Sequence, residues 1–183
     1  MRKVTAGLFH SLDGVVEAPD TWQFDRFDDE LGAIMTTIMG RLDTVILGRK
    51  GYEDWAGYWP NAEADQDFAG FINNVPKHVA SHTLKGPLGW SNSHLIEGDL
   101  EAFVRDLKAK DGGEIAVMAS ISLVRQLLFA GLLDELTLIT HPVIAGEGRQ
   151  HLFEADDPVT RLELVETTGT SKGNVVSTYR LSA

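Results

Sequence analysis

The chain contains no cysteine among its 183 residues. This absence excludes disulfide bonds, zinc sites built from thiolates and a cysteine nucleophile. The six histidines show neither the i, i+4 pair of a zinc-binding helix nor an acidic partner at ligand spacing. The sequence therefore predicts no metal site.

Positive charge and long apolar runs are also scarce. The 16 lysine and arginine residues are outnumbered by 27 aspartate and glutamate residues, which gives a net charge of −11. Such a charge opposes nonspecific binding to nucleic acid and to anionic lipid. No segment approaches the ~18 consecutive apolar residues that cross a bilayer, and the short apolar segment at 4–9 lacks a leader's cleavage site. We therefore expect a cytoplasmic protein with no nucleic-acid or membrane partner.

Apolar strands alternate with amphipathic helices over the first 140 residues. This alternation predicts a three-layer α/β fold, in which helices flank a mostly parallel central sheet. Two more strands within 162–181, separated by Gly173 and Asn174, predict a C-terminal antiparallel hairpin. The length fits one domain that covers 1–183. The other strands are predicted at 3–10, 45–47, 77–80, 95–96, 115–118 and 136–141, and the main helices at 28–40, 100–110 and 120–130.

The segment from Thr44 to Trp55 has the order of parts found in anion sites. Val45 to Leu47 form a buried strand, Gly48 permits a tight turn, and a helix begins near Arg49. The free N–H groups of the helix, the positive end of its dipole and the guanidinium then face the same space, which suits a phosphate. The alternative is that Arg49 caps the helix or pairs with Glu53, four residues along.

Glycine and polar residues follow the other strands as well. Open parallel sheets bind ligands beyond the carboxyl ends of their strands. None of the loops at those ends contains a nucleophile elbow, a P-loop or a complete Gly-x-Gly-x-x-Gly motif. A phosphate-bearing redox cofactor fits this set, because the cofactor brings the reactive group and needs only binding and orientation. The loops are 11–17, 48–52, 81–83, 119–121 and 141–148.

Two features after the first strand have two interpretations each. Asp13, which precedes Gly14, is either a turn residue or a catalytic acid, and we favour the turn. The aromatic residues of the next loop, Trp22, Phe24 and Phe27, either cover the core or line a pocket. We favour the buried cover, because large aromatic side chains are usually buried.

A set of short motifs occurs in a characteristic order along nearly the whole chain. The motifs are Ser11-Leu12-Asp13-Gly14, Leu47-Gly48-Arg49, Tyr52-Glu53-Asp54-Trp55, Ser81-His82-Thr83-Leu84, Gly131 to Leu136, Pro142 to Gly148, and Leu152-Phe153. In this order they resemble the dihydrofolate reductase-like proteins, in particular the reductase half of the bifunctional riboflavin-biosynthesis deaminase-reductase.

The resemblance implies an NADPH-dependent reductase that forms a homodimer and acts on a small heterocyclic substrate, either pterin-like or an aminopyrimidine like a riboflavin precursor. It implies that Asp13 and Glu147 are catalytic, and Asp28 is a further candidate proton donor. The cofactor-binding residues that it implies are Gly48, Arg49, Ser81, His82, Ala119, Ser120, Ile121, Gly146 and Gly148.

Three positions depart from the family pattern on the cofactor side. Gly51 stands where relatives commonly carry threonine, His82 where arginine is frequent, and Ala119-Ser120 where a glycine pair is usual. We expect the Ala119–Ser120 peptide bond to be trans, and the three changes together to weaken NADPH binding. They support a second hypothesis, a non-catalytic nucleotide-binding or interaction protein that keeps the fold.

Overall fold

A computed structural model describes residues 1–182 as eight strands and five α-helices, with short 3-10 turns at Pro19–Thr21 and Trp59–Asn61. The strands are β1 (Val4–Ser11), β2 (Leu42–Gly48), β3 (Lys77–Ala80), β4 (Ser93–Leu95), β5 (Glu114–Met118), β6 (Glu135–His141), β7 (Leu162–Gly169) and β8 (Val175–Leu181). The helices are α1 (Asp29–Met39), α2 (Arg49–Tyr58), α3 (Gln66–Asn74), α4 (Leu100–Lys108) and α5 (Ile121–Phe129).

These elements fall into two compact units, each built from two separate stretches of chain. The first unit contains residues 1–4 and 41–132, and the second contains 5–40 and the chain from 133 onward. β2 to β5 and α2 to α5 therefore belong to the first unit. The second unit contains α1, β6, β7, β8 and most of β1.

The first unit is built on parallel strands in the order β4-β3-β2-β5. Val45, Ile46 and Leu47 of the central strand β2 are all 0% exposed. A strand covered on both faces requires such a continuous apolar run. Helix α5 contributes Val124 and Leu127 to the buried apolar residues of this unit.

The second unit orders its strands β1-β6-β8-β7. β1 and β6 are parallel, and β8 runs antiparallel to both β6 and β7. Leu31 of α1, Ile139 of β6 and Val176 of β8 form a buried cluster. The half-buried side chains packed against this cluster are Phe9, Ile34 and Met35.

The predicted fold class is confirmed by the mostly parallel strands, the helices between them and the C-terminal antiparallel hairpin. β3 has the predicted bounds, Lys77–Ala80, and the side chain of Ser120 caps α5. The fourth strand, predicted at 95–96, lies instead at Ser93–Leu95, because its pairing with β3 begins where Lys77 meets Ser93. Over residues 1–182, every helix is too short or too polar to cross a bilayer.

Candidate functional site

Three turns of the first unit follow neighbouring parallel strands. β2 lies between β3 and β5, and Gly48 at the end of β2 pairs with Ala80 at the end of β3. β5 ends at Met118 beside the last apolar residue of β2. The turns that begin at Gly48, Ser81 and Ala119 therefore leave the strands at the same edge, as the sequence predicted for parallel strand ends.

The β2–α2 turn packs directly against the β5–α5 turn. A Cβ at Gly48 would lie 2.5 Å from Ser120 Oγ, and a Cβ at Gly51 would lie 2.1 Å from the carbonyl oxygen of Ala119 and 2.6 Å from its Cβ. Lack of space therefore requires glycine at both positions. Ala119 itself has a φ of 49°, a left-handed conformation that alanine rarely adopts. The Ala119–Ser120 peptide bond is trans, as expected.

The N-terminus of α2 lacks a side-chain cap. Its N-cap is Gly48, which has no side chain to accept from the first-turn N–H groups. The side chains of Asp28, Asp99 and Ser120 cap α1, α4 and α5, whereas α3, like α2, has no side-chain cap. The first turn of α2 contains no acidic residue and begins with Arg49. Such a helix end favours an anion, because free N–H groups and positive charge point the same way.

Arg49 is also engaged with its own helix. Its Nη1 lies 2.7 Å from Glu53 Oε2, and the two side chains are 44% and 45% exposed. The ion pair that the sequence offered as an alternative is therefore present. Exposed pairs of this i, i+4 kind contribute only about 0.3–0.5 kcal/mol. A bound phosphate could therefore take the guanidinium from Glu53 at small cost.

Ser81 orders the turn after β3. Its Oγ accepts hydrogen bonds from the N–H groups of Thr83 and Leu84, at 3.2 and 3.0 Å. His82 is exposed in this turn and makes no hydrogen bond within residues 1–182. The hydroxyl of Ser81 is thus used locally, and His82 is the side chain available to a ligand. Ile121, the first residue of α5, is half-buried.

In the second unit, Asp13 joins the loop after β1 to the loop after β6. Its carboxylate accepts hydrogen bonds from Ser11 Oγ at 2.6 Å and from the N–H groups of Ala145 and Gly146, both at 2.9 Å. These hydrogen bonds hold the pKa of Asp13 well below its usual range. Asp13 is therefore ionised at neutral pH and acts here as a turn residue. A catalytic role for it stays a prediction.

Glu147 lies at the tip of this second loop, between two glycines. Gly146 and Gly148 both have a φ of 82°, which favours glycine, and no atom lies within 4 Å of a Cβ built at either position. Glu147 is exposed and makes no hydrogen bond within residues 1–182. The predicted cofactor role of the two glycines and the predicted catalytic role of Glu147 stay predictions.

A buried polar cluster in the second unit was missed by the sequence reasoning. His141, the last residue of β6, is 0% exposed, and its Nε2 lies 3.0 Å from Gln23 Nε2. Asn174 is also 0% exposed and donates a hydrogen bond of 3.2 Å to Asp28. Burial lowers the pKa of His141, whereas the Asn174 side chain and the charge of Asp28 oppose this shift. The burial of His141 could have been predicted from the alternation of buried and exposed side chains along a strand, since His141 follows buried Ile139 by two positions on β6.

Asp28 is tied into the same cluster. Its side chain accepts from the N–H of Leu31 at 2.7 Å, which caps α1, and from the hydroxyl of Thr170 at 2.6 Å. The Thr170 hydrogen bond is the main reason that the pKa of Asp28 is lowered. Asp28 is therefore ionised as well, and in that state it has no proton to donate.

The aromatic residues after β1 divide between the two interpretations. Trp22 is 2% exposed and donates from Nε1 to the Glu17 carbonyl, so it is the buried cover that we favoured. Phe24 and Phe27 are 78% and 48% exposed. The prediction of a buried cover is therefore wrong for these two, because their loop turns outward after Trp22.

The family of this chain is identified by a match to a family model over most of its length. Residues 2–176 match the model of the RibD C-terminal domain. The chain belongs to this family. The resemblance drawn from the motifs is thereby confirmed.

Relatives and solved structures agree with membership of the RibD C-terminal domain family. The chain is 27% identical over 187 residues to the uncharacterized protein YyaP of Bacillus subtilis (strain 168), and the match covers 97% of this chain and 94% of YyaP. A candidate riboflavin biosynthesis protein from Shewanella sp. PV-4 is 19% identical with a TM-score of 0.73, and 99% of each chain is covered. Dihydrofolate reductase from Enterococcus faecalis, complexed with NADP(H), is 15% identical with a TM-score of 0.63, covering 99% of this chain and 97% of that one. The fold is therefore dihydrofolate reductase-like.

Proposed function

We propose that this protein is a reductase that uses NADPH to reduce a pterin-like or aminopyrimidine substrate. Membership of the RibD C-terminal domain family supports a reductase. The observation that carries the proposal is the packed pair of turns at Gly48 to Gly51 and Ala119-Ser120. In this pair of turns, the uncapped N-terminus of α2 packs against the backbone of Ala119 at the ends of the adjacent parallel strands β2 and β5. Nucleotides bind at such strand ends in parallel sheets.

The residues of the first unit fit the phosphates of a dinucleotide. The N–H groups at the start of α2 have no side-chain acceptor at Gly48, and Arg49 supplies a positive charge. The Ser120 hydroxyl lies beside Gly48, as the short distance to a Cβ built there shows. When bound, the nicotinamide supplies the hydride, and these side chains would bind and orient the cofactor.

Reduction of a C=N or C=C bond also consumes a proton. Hydrogen bonds lower the pKa of Asp13 and that of Asp28, so neither carboxyl is a proton donor at neutral pH. We assign Asp13 instead to positioning, since it holds the backbone of Ala145 and Gly146. Glu147, the other catalytic residue that the resemblance implies, is exposed at the tip of the loop that Asp13 orders.

A titration of NADPH, followed by its fluorescence, tests the proposal. We expect Arg49→Ala to weaken NADPH binding about tenfold or more, because a charge-assisted hydrogen bond to phosphate is lost. Arg105→Ala is the matched control, since Arg105 forms the same kind of exposed i, i+4 pair with Glu101 in α4. No binding by the wild type up to millimolar NADPH, or equal affinities of the two variants, would refute the assignment.

His82 extends this test to the 2′-phosphate of NADPH. We propose that His82, exposed after β3, contacts this phosphate. His82→Ala should then weaken the binding of NADPH, while NADH, which lacks the phosphate, should bind wild type and variant alike. Equal affinity of His82→Ala and wild type for NADPH would remove this role.

The second candidate function is nucleotide binding without catalysis. It is favoured by the pairing of Arg49 with Glu53 and by the strained backbone of Ala119, both at the proposed phosphate site. The two functions separate in one assay. Steady NADPH oxidation with a dihydropterin or an aminouracil supports the reductase, whereas NADPH binding without turnover on any such compound supports the binding protein.

A further inference from the structure

Two histidines lie side by side on neighbouring strands of the first unit. In the register of β3 with β4, His78 pairs directly with His94. Residues paired in this way point to the same face of a sheet, and their strands lie about 4.8 Å apart. The two imidazole centroids are 6.0 Å apart, with an angle of 38° between the ring planes. Spacing along the sequence did not reveal this pair, because its members belong to different strands.

The ring of His78 is held in position, whereas that of His94 is open to solvent. The centroid of His78 lies 5.0 Å from that of Phe103 in α4, and His78 is half-buried. His94 is exposed on β4, which is an edge strand of the sheet. One ring is therefore fixed in advance, which lowers the entropy cost of binding a ligand, and the other can be reached from solution.

Both rings are available as ligands. Over residues 1–182, neither imidazole takes part in a hydrogen bond. Burial lowers the pKa of His78, and the charges of His94, Lys110 and Arg2 lower it further. His78 is therefore neutral at neutral pH, and neutral imidazole is the form that binds a metal ion.

The nearby positive charges also repel a cation, but two features limit this repulsion. Arg2 forms an ion pair with Asp43, which offsets the charge of the guanidinium. Lys110 is exposed, so water and salt screen its charge. The repulsion that remains at the histidine pair is therefore weak.

The distance between the two rings suits one shared ion. The bond from an imidazole nitrogen to a zinc ion is about 2.0–2.1 Å long, so each ring centroid would lie about 3.2 Å from the ion. At a tetrahedral angle, the centroids of two such rings are about 5.2 Å apart. Rotation of the exposed His94 side chain can close the difference of about 0.8 Å from the 6.0 Å in the structure.

We propose that His78 and His94 bind one divalent transition ion, and that the ion ties the edge strand β4 to β3. Zn²⁺ and Cu²⁺ suit imidazole ligands, and Cu²⁺ should bind more tightly. Over residues 1–182, no three side chains of histidine, aspartate or glutamate are grouped to hold a metal, so water completes the coordination. The connection from β3 to β4 contains His82, so the ion also fixes both ends of the segment proposed to contact NADPH. Such binding needs neither NADPH nor a reductase reaction.

A Cu²⁺ titration of the metal-free chain, without an affinity tag, tests the site. We expect the wild type to bind one Cu²⁺ here through two imidazole nitrogens, which pulsed electron paramagnetic resonance counts. His94→Ala should bind Cu²⁺ about a hundredfold more weakly, because two linked ligands exceed either one alone by at least that factor. Fewer than two imidazoles on the wild-type ion, or equal affinity of His94→Ala and wild type, would overturn the proposal.

Two further variants assign the ion to this pair. His78→Phe should lose as much affinity as His94→Ala, while its ring keeps the contact with Phe103. The control His151→Ala removes an exposed histidine of the second unit and should bind Cu²⁺ as the wild type does. Wild-type affinity in His78→Phe, or a loss in His151→Ala as large as in His94→Ala, would contradict the assignment. Thermal unfolding of metal-free His94→Ala should match the wild type, so that a loss of affinity reports the ligand and not the fold.

Hydrogen exchange tests whether the ion ties the two strands together. The N–H of Ile96, directly after β4, donates to the carbonyl of Val79 in β3 at 2.9 Å. Since β4 pairs with β3 through only three residues, Zn²⁺ should slow exchange of this amide in the wild type. In His94→Ala, Zn²⁺ should leave the exchange unchanged. Equal exchange with and without Zn²⁺, in a wild type that binds the ion, would refute the tie between the strands.

Discussion

Substitution of Gly51 by alanine should destabilise the protein, against the usual effect of this change in a helix. Alanine in place of an exposed helical glycine raises the free energy of unfolding by roughly 0.5–1 kcal/mol. At Gly51 the added methyl carbon would lie 2.1 Å from the carbonyl oxygen of Ala119 and 2.9 Å from its carbonyl carbon. Both atoms are backbone, so the clash cannot be relieved by rotating a side chain.

The magnitude follows from what must move. Real Cβ atoms keep about 3 Å or more from such neighbours, so one of the two turns must shift by about 1 Å. Overpacking of this kind costs about 1–3 kcal/mol and exceeds the gain in helix propensity. We therefore expect Gly51→Ala to lower the free energy of unfolding by about 1–2 kcal/mol, with urea titration as the assay.

Gly57 provides the matched control in the same helix. No atom lies within 4 Å of a Cβ built there, so Gly57→Ala should stabilise by roughly 0.5–1 kcal/mol. Equal effects of the two substitutions would refute the close packing of the β2–α2 turn against Ala119.

A double variant tests whether residue 119 is the cause. Ala119→Gly alone should stabilise by about 1 kcal/mol, because glycine adopts a φ of 49° without strain. In the double variant, Ala119→Gly also removes the methyl group that a Cβ at residue 51 would meet at 2.6 Å. The glycine at 119 also frees the β5–α5 turn to shift. The double variant should therefore be more stable than the sum of the single effects by more than about 0.5 kcal/mol. Strict additivity would show that the two positions do not interact.

Lys77, Asp13 and Leu164 each support a separate prediction. Burial lowers the pKa of Lys77 from 10.5 to about 8, so the folded state disfavours the ammonium form. In urea titrations, the free energy of unfolding of the wild type minus that of Lys77→Met should rise between pH 8 and 10.5 and should not change below pH 8. Asp13→Asn should speed hydrogen exchange at the Ala145 and Gly146 amides, which lose their carboxylate acceptor, and unchanged exchange would contradict this. We propose that the protein forms a homodimer and that the two copies pair through the exposed edge strand β7. Leu164→Lys, at a 55% exposed position, should then halve the mass found by light scattering, and a wild-type monomer would contradict the proposal.

Local signals in the sequence predicted much of the fold and the position of the glycine turn between β2 and α2. The conformation of an apolar run that ends in glycine, such as Val45 to Gly48, is set mainly by residues adjacent in the chain. The structure agrees, since β2 ends at Gly48. The cap at Ser120 is local in the same way, since the hydroxyl accepts from the N–H three residues later. Parallel pairing then brings such turns to one edge without further information from the sequence.

Contacts between distant segments could not be predicted in this way. Gln23 and His141 are 118 positions apart, and no periodicity connects a loop glutamine to the end of a strand. The outward position of Phe24 was missed for a related reason. Its left-handed backbone arises from the path of the loop, whereas composition alone predicts that a phenylalanine is buried.

The structure also changes what the departures from the family pattern mean. As separate substitutions, Gly51 and Ala119 suggested a cofactor site that had lost a hydroxyl and gained an obstructing methyl group. In the structure they are one feature, because Ala119 occupies the space that any side chain at 51 would need. Because both turns border the proposed phosphate site, Gly51→Ala should weaken NADPH binding as well as stability, while Gly57→Ala should leave NADPH binding unchanged.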